Sequence, residues 1–390
     1  MTNIKLINKI AKIGTDVFDK EKYTVSDTVE NPAALMVRSA KLHDTVFDKS
    51  TVAIARAGAG VNNIPCQRCA DEGIVVFNTP GANANAVKEL TLAALLLASR
   101  DIVDGVNWAN TLDCDDEATA KVEAGKGQFA GSELFGKTLG VIGLGAIGGL
   151  VANAGVKLGM NVIGYDPYLS VNAAWNLSGS IIKADDYNDI FAKSDYISLH
   201  IPALTTTKGM INADAIAKMK DGVRIINLAR GELVCAPDLK AALESGKVKR
   251  YVTDFPSKDT IGVKGIINIP HLGASTEESE DNCAVMAARE LVDYIEYGNI
   301  KNSVNYPDVA IPVTVKPVTR VGVLHKNIAN MIASITAIIS GEGHNIEHMA
   351  NGSRDEYAYT LIETNGDVTE TVKDKIKAVD GIIAVRIIKL

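Results

Sequence analysis

The segment from Leu139 to Asp166 constrains this chain most: a buried apolar strand runs into a glycine-rich turn, a helix, and a second strand that ends on an acid. The turn is Gly143-Leu144-Gly145-Ala146-Ile147-Gly148. A GxGxxG pattern is weak alone, but between a strand and a helix it marks a place where backbone N–H groups approach a phosphate. Gly143 permits the tight turn, Gly145 admits a pyrophosphate to the backbone, and Gly148 lets the helix sit close to the sheet. Ala146 and Ile147 open a helix whose unpaired N–H groups and partial positive charge suit the phosphates. Asp166 follows Gly143 by 23 residues, where a carboxylate accepts from both ribose hydroxyls. The pattern predicts a dinucleotide site that takes NAD rather than NADP, because a 2′-phosphate would meet Asp166 and Pro167-Tyr168 bring no cation.

The chain has 390 residues, more than one core sustains, so two or three domains are expected. Apolar residues are 47% and charged residues 22%, which is enough to fill several cores and argues against disorder. No stretch reaches the roughly 18 apolar residues a membrane helix needs, and the first residues lack the pattern of a secretory leader. Five scattered cysteines argue against a disulfide framework and for the cytoplasm. Cys66 and Cys69 form a CxxC without a second pair or a nearby histidine, so no metal is expected. The net charge of −7 disfavours nucleic acid as a partner.

Short β-branched runs alternate with helix-length segments, the mark of parallel βαβ units. Strands are expected at 34–39, 51–58 and 74–81, followed by a helix over 86–100. The polar stretch 101–135 reads as a connection. Six strands follow from residue 138 to 269, and then a long amphipathic helix over 276–297. Residues 306–317 are proline-punctuated and read as a linker. The tail, 318–390, reads βαββαβ. The expected fold class is α/β: two doubly wound Rossmann-like domains plus a C-terminal ferredoxin-like domain. Residues 1–100 with 271–305 would form a discontinuous substrate-binding domain, and 101–270 the nucleotide domain.

Ligands of open α/β sheets sit beyond the carboxyl ends of the strands. Asp166, His200, Arg230 and Asp254 fall at four such ends, and His271 follows the fifth. Removing hydride from an alcohol carbon needs a base for the hydroxyl proton and a cation for the developing carbonyl oxygen or a neighbouring carboxylate. Histidine and arginine suit these roles, although residue type alone does not rank His200 against His271. A second glycine cluster, Ala57-Gly58-Ala59-Gly60, lacks an acidic strand end at nucleotide spacing. With Arg38 and Arg56 beside it, it reads instead as a loop for an anionic substrate.

The segments Asn227-Leu228-Ala229-Arg230-Gly231 and Pro270-His271-Leu272-Gly273-Ala274-Ser275-Thr276, with the turn at 143–148, resemble the signatures of the D-2-hydroxyacid dehydrogenase family. The likeness runs from Ala34 to about Asn305. Arg56 to Asn63 and Asn78 to Asn83 look like the substrate and cofactor loops of members acting on 3-phosphoglycerate at the entry to L-serine synthesis. The resemblance implies that His271 is the acid/base and that Arg230 binds the substrate carboxylate and 2-oxygen. Arg38, Arg56, Ala57, Gly58 and Asn83 would line the substrate. His200, Pro202, Ala229, Asp254 and Gly273 would join the glycine turn and Asp166 around NAD. The family pattern also supplies a glutamate behind the histidine, and here the chain departs from it with Asp254-Phe255-Pro256-Ser257-Lys258-Asp259. Counted from Asp254, Asp259 takes the glutamate's place; aligned on Phe255-Pro256, Lys258 does. Asp259 is the expected partner.

The tail resembles an ACT domain, a regulatory module that binds amino acids between its copies. His325, Asn327 and Asn345 match positions that hold serine in serine-inhibited members, which implies an L-serine effector. The long helix over 276–297 and the ACT-like edge suggest at least a dimer, a homodimer or homotetramer. The usual Pro-Gly after the asparagine is replaced by Ile328-Ala329-Asn330-Met331. Two other activities fit the resemblance: a glyoxylate or hydroxypyruvate reductase, which needs no phosphate-binding arginine, and an NAD-sensing binding protein of the same fold.

Overall fold

Apolar runs of three to six residues bounded by turn formers become parallel strands throughout the first 276 residues. The computed structural model describes residues 1–313 and 318–390. The chain divides into two units, Met1–Asn83 with Glu277–Leu390, and Ala84–Thr276.

In the first unit, β1 (Thr2–Leu6), β2 (Tyr23–Ser26), β3 (Ala34–Val37), β4 (Ala53–Arg56) and β5 (Val75–Phe77) form a parallel sheet in the order β2-β1-β3-β4-β5. The sequence announces β3, β4 and β5, which are apolar on both faces as covered parallel strands are. It does not announce β1, where only Ile4 is buried, or the half-exposed β2. The long helix Glu277–Tyr297 shares their core: Ala284, Ala287, Ala288, Leu291 and Tyr294 are buried with Ile4, Met36, Ala55 and Phe77. Contact is closest at Gly14, where an added Cβ would lie 2.5 Å from the Cβ of Ala284.

The second unit begins with the helix Ala84–Ser99. Its sheet holds β6 (Thr138–Ile142), β7 (Asn161–Tyr165), β8 (Ile182–Lys183), β9 (Tyr196–Leu199), β10 (Val223–Asn227), β11 (Val248–Thr253) and β12 (Ile266–Asn268). All are parallel, in the order β12-β11-β10-β9-β6-β7-β8. Strand order reverses between β6 and β9, where such sheets open a crevice for ligands. Seven strands stand where six were expected, because β8 is only two residues, Ile182 and Lys183, both exposed. The stretch read as a connection contains the helices Ile102–Ala109 and Ala118–Gly125, neither of which buries a residue.

In the first unit again, β13 (Thr319–Lys326), the helix Met331–Gly341, β14 (Ile346–Arg354), β15 (Tyr357–Thr364), the helix Glu370–Lys377 and β16 (Ile382–Lys389) make the βαββαβ module. Its sheet is antiparallel, ordered β14-β15-β13-β16. Arg320, fully buried, pairs with buried Glu363 at 3.0 Å and donates to the carbonyls of Tyr297 at 2.9 Å and Pro312 at 2.8 Å. Arg386 donates to the carbonyls of Tyr294 and Ile295, and the Tyr359 hydroxyl to Gly298. Of the expected linker, Tyr306, Val309 and Ile311 are buried in the same core, and residues 314–317 lie outside the described residues. Among the described residues no helix is long and apolar enough to cross a membrane.

Candidate functional site

The turn after β6 carries out the division of labour its glycines imply. Gly143 has φ +89°, and a Cβ there would lie 2.6 Å from the carbonyl oxygen of His200. A Cβ on Gly148 would lie 1.8 Å from the carbonyl oxygen of Gly143, so any side chain would push the helix Ala146–Lys157 off the turn. Gly145, the residue capping that helix, has nothing within 4 Å of its Cβ position. The turn thus leaves open space over exposed backbone at a helix N-terminus, with Ala146 exposed and Ile147 half-buried beside it. Asp166, beyond the end of β7, accepts from the Leu144 N–H and the Tyr168 N–H at 2.9 Å each, fixing the carboxylate against the turn. These residues fit a dinucleotide.

His200 follows β9 behind the turn. Its Nε2 is 2.8 Å from the Ser198 hydroxyl, and burial lowers its pKa to about 4, so it is neutral at physiological pH. Pro202 lies in the next loop, its carbonyl accepting from Thr207 at 2.6 Å. At the end of β10 the buried Asn227 folds the chain back: its Oδ1 accepts from the N–H groups of Ala229 and Arg230, and its Nδ2 donates to the Arg230 carbonyl at 2.8 Å. The Arg230 guanidinium is left exposed, with Nη1 on the Ala229 carbonyl.

Asp254, next after β11, is 1% exposed, and its Oδ1 has no hydrogen-bond partner among the described residues. Burial pushes its carboxyl above the usual carboxylate range, while the imidazole of His271, the N–H of Gly273 and the guanidinium of Arg230 pull it back. Asp254, Arg230 and His271 therefore share one neighbourhood. His271 is exposed, and its ring packs edge-on against Phe255, centroids 4.8 Å apart. Asp259 is placed elsewhere: the Ser257–Thr260 turn holds its backbone, and its carboxylate is 3.7 Å from Lys240. Asp254 lies beside Gly273 and feels the charge of His271, and Phe255, packed on the His271 ring, is a neighbour that residue type alone does not single out.

In the first unit, Arg56 ends β4 and is half-buried. Its Nε donates to the Arg38 carbonyl at 3.0 Å and its Nη1 to the Gly60 carbonyl, so the loop Ala57 to Gly60 wraps the guanidinium. Ala57 is buried, and a Cβ on Gly58 would lie 3.2 Å from Arg56 Nη1. The Asn78 side chain donates to the Ala59 carbonyl and the Thr79 N–H to the Gly58 carbonyl, tying the second loop to the first. Asn83, half-buried, ends that loop. Arg38 forms an ion pair with Glu280, which the sequence gave no reason to select. Beneath the loops, buried Glu290 accepts from Asn302 at 2.8 Å, and the Asn302 carbonyl accepts from the Asn78 N–H. Burial raises the Glu290 carboxyl to about 8.

Residues 92–273 match the D-isomer specific 2-hydroxyacid dehydrogenase NAD-binding domain. The match spans slightly less than half of the chain. The chain is similar to the D-3-phosphoglycerate dehydrogenase of Methanocaldococcus jannaschii, with 32% identity over 90% of this chain and 65% of that protein. A Saccharomyces cerevisiae D-3-phosphoglycerate dehydrogenase is 28% identical over 95% of this chain and 83% of its own. The NAD-bound 3-phosphoglycerate dehydrogenase of Entamoeba histolytica superimposes with a TM-score of 0.58, 26% identity, and coverage of 78% of this chain and 98% of that one. The chain spans between about half and two thirds of the length of four archaeal and bacterial relatives it matches.

The C-terminal module holds His325 and Asn327 at one end of its sheet and Asn345 at the other. His325 is buried on β13, with Nδ1 2.8 Å from the Lys326 carbonyl and Nε2 2.9 Å from the Thr360 hydroxyl. Asn327 donates to the Asp355 carbonyl at 3.1 Å. Asn345 meets Asn365 at the opposite end of the sheet, where Thr364 pairs with Thr319.

Proposed function

We propose that this chain is an NAD-dependent dehydrogenase that oxidises C2 of 3-phosphoglycerate to 3-phosphohydroxypyruvate, the first step of L-serine synthesis. One observation carries the substrate: two arginines at the ends of adjacent strands, Arg38 and Arg56, beside a folded glycine loop, which suits a phosphate rather than a neutral group. Bound NAD would supply the hydride acceptor, held over the Gly143–Gly148 turn and by Asp166. His271 takes the hydroxyl proton through the imidazole left exposed beside Phe255. Arg230 orients the substrate carboxylate and steadies the 2-oxygen as it becomes a carbonyl. Asp254 is the acid proposed to support the imidazole, in the part that the resemblance gives to Asp259.

Functionally, the region 1–100 with 271–305 binds substrate, 101–270 binds NAD, and 318–390 is regulatory. L-serine is its proposed effector, and since His325 and Asn345 lie at opposite ends of one sheet, a serine site using both would take them from two copies. The proposed assembly is a homodimer or homotetramer in the cytoplasm. NADH absorbance with 3-phosphoglycerate under alkaline, product-trapping conditions tests the activity; a flat trace sinks it. Glyoxylate and hydroxypyruvate, assayed in the reducing direction, test the reductase alternative. Tight NAD binding without turnover of any of the three would leave the NAD-sensing alternative.

A further inference from the structure

Arg38 follows β3 and Arg56 ends the neighbouring β4, with Val37 beside Arg56 in register. Burial and the charge of Arg38 both push the Arg56 guanidinium below its usual range, so the two cations oppose each other. Glu280 reaches Arg38 from the first turn of the helix Glu277–Tyr297, with the two side chains 40% and 44% exposed. Cys283, one turn further on, is buried: burial pushes its thiol up, while Thr79 and the charges of Arg38 and Arg56 pull it back.

We propose that Glu280 is a resident anion: it occupies Arg38 in the free protein and competes for it with the anionic group of substrate and product. The inference rests on the assignment of Arg38 and Arg56 to the substrate's phosphate. A half-exposed ion pair contributes little and opens readily. A phosphate dianion can engage both guanidiniums, whereas Glu280 bonds Arg38 alone. Glu280 therefore does two things. It offsets the repulsion between the arginines when no ligand is present, and it reclaims Arg38 when product leaves, so it weakens the hold on phosphate. A residue that merely oriented Arg38 would do the opposite, and its loss would weaken phosphate binding.

The sign of the effect decides between these roles. Titration calorimetry of the full chain with inorganic phosphate, for wild type, Glu280→Gln and Glu280→Ala, is expected to show binding tightened about two- to fivefold in both variants. The KM for 3-phosphoglycerate should fall by a similar factor, and phosphate should raise the melting temperature more than it does in wild type. Unchanged or weaker phosphate binding, or no phosphate binding in any of the three proteins, overturns the proposal. If phosphate binding tightens in the variants but wild type does not oxidise 3-phosphoglycerate, the resident-anion role stands and the substrate reading fails.

Discussion

Two glycine-rich loops follow strands in this chain, and they handle space in opposite ways. Above Gly145 in the nucleotide turn nothing lies within 4 Å, so exposed backbone and a helix N-terminus are presented to a ligand. Above Gly58 and Gly60 in the other loop stands the Arg56 guanidinium, at 3.2 and 3.1 Å. In the first loop glycine leaves the backbone open; in the second it brings the backbone to a cation. The same residue type after the same kind of strand thus suits dipolar recognition in one place and, on the proposed function, ionic recognition in the other. What lies behind the loops differs too: carboxylate and imidazole groups bonded to polar partners behind the nucleotide turn, and a buried carboxyl with one orphaned oxygen beneath the arginine loop.

The largest effect should come from Gly148→Ala. With 1.8 Å available the backbone must move, and we expect a loss of roughly 3 kcal/mol in stability by urea denaturation, with NAD affinity falling at least about 100-fold by fluorescence titration. Gly145→Ala should cost only about 0.5–1 kcal/mol, the difference between glycine and alanine at a helix cap, while NAD affinity still drops. Equal stability losses in the two variants would break the division of roles within the turn. In the other loop Arg56→Ala should raise the KM for 3-phosphoglycerate about 10- to 100-fold, the loss of charge-assisted hydrogen bonds, with NAD affinity little changed. A fall in NAD affinity as large as the rise in KM would erase the contrast between the loops.

Glu290→Gln probes the ground beneath the second loop. The folded carboxyl sits near 8 against an ordinary 4.5, so the folded state holds its proton more tightly. Folding stability is therefore lost as pH rises from about 4.5 through about 8, by a few kcal/mol at most. The variant carries no such group. Its melting temperature should match wild type near pH 5 and exceed it increasingly towards pH 9; parallel curves would refute the buried charge. The smallest effect is expected at His271. Asp254→Asn should lower turnover about threefold, because an acid close to the imidazole and the Gly273 N–H has been altered. Asp259→Asn should leave turnover in place, and the reverse result would restore Asp259 as the partner.

The parallel strands were legible where burial on both faces makes a continuous apolar run, as in β3 to β7 and β9 to β11. They were illegible where a strand is half-exposed or two residues long: β1 with its single buried Ile4, and β8 with none. The helices of 102–125 escaped because they bury nothing: Ile102 and Val106 give the first an apolar stripe that stays at the surface, and the second has no comparable face. At the site, the glycine turn could be read to the residue, since its constraint is local. The carboxylate near His271 could not, because the choice depends on where the Ser257–Thr260 turn points, and a turn that bonds its own hydroxyls directs Asp259 to Lys240. Glu280 was equally hidden: 242 residues separate it from Arg38, and only the docking of the long helix against β3 and β4 brings them together.

The first unit's core draws on both ends of the chain, with Ile4, Met36 and Phe77 closed by Ala284, Leu291 and Tyr294. During synthesis the first 83 residues emerge long before the helix that covers them. The segment 84–276 has its own core and can complete it first, so the order of maturation on the ribosome runs against the order of the sequence. Until the helix arrives, the amino-terminal sheet carries an uncovered apolar face, the kind of surface a nascent chain needs shielded by chaperones.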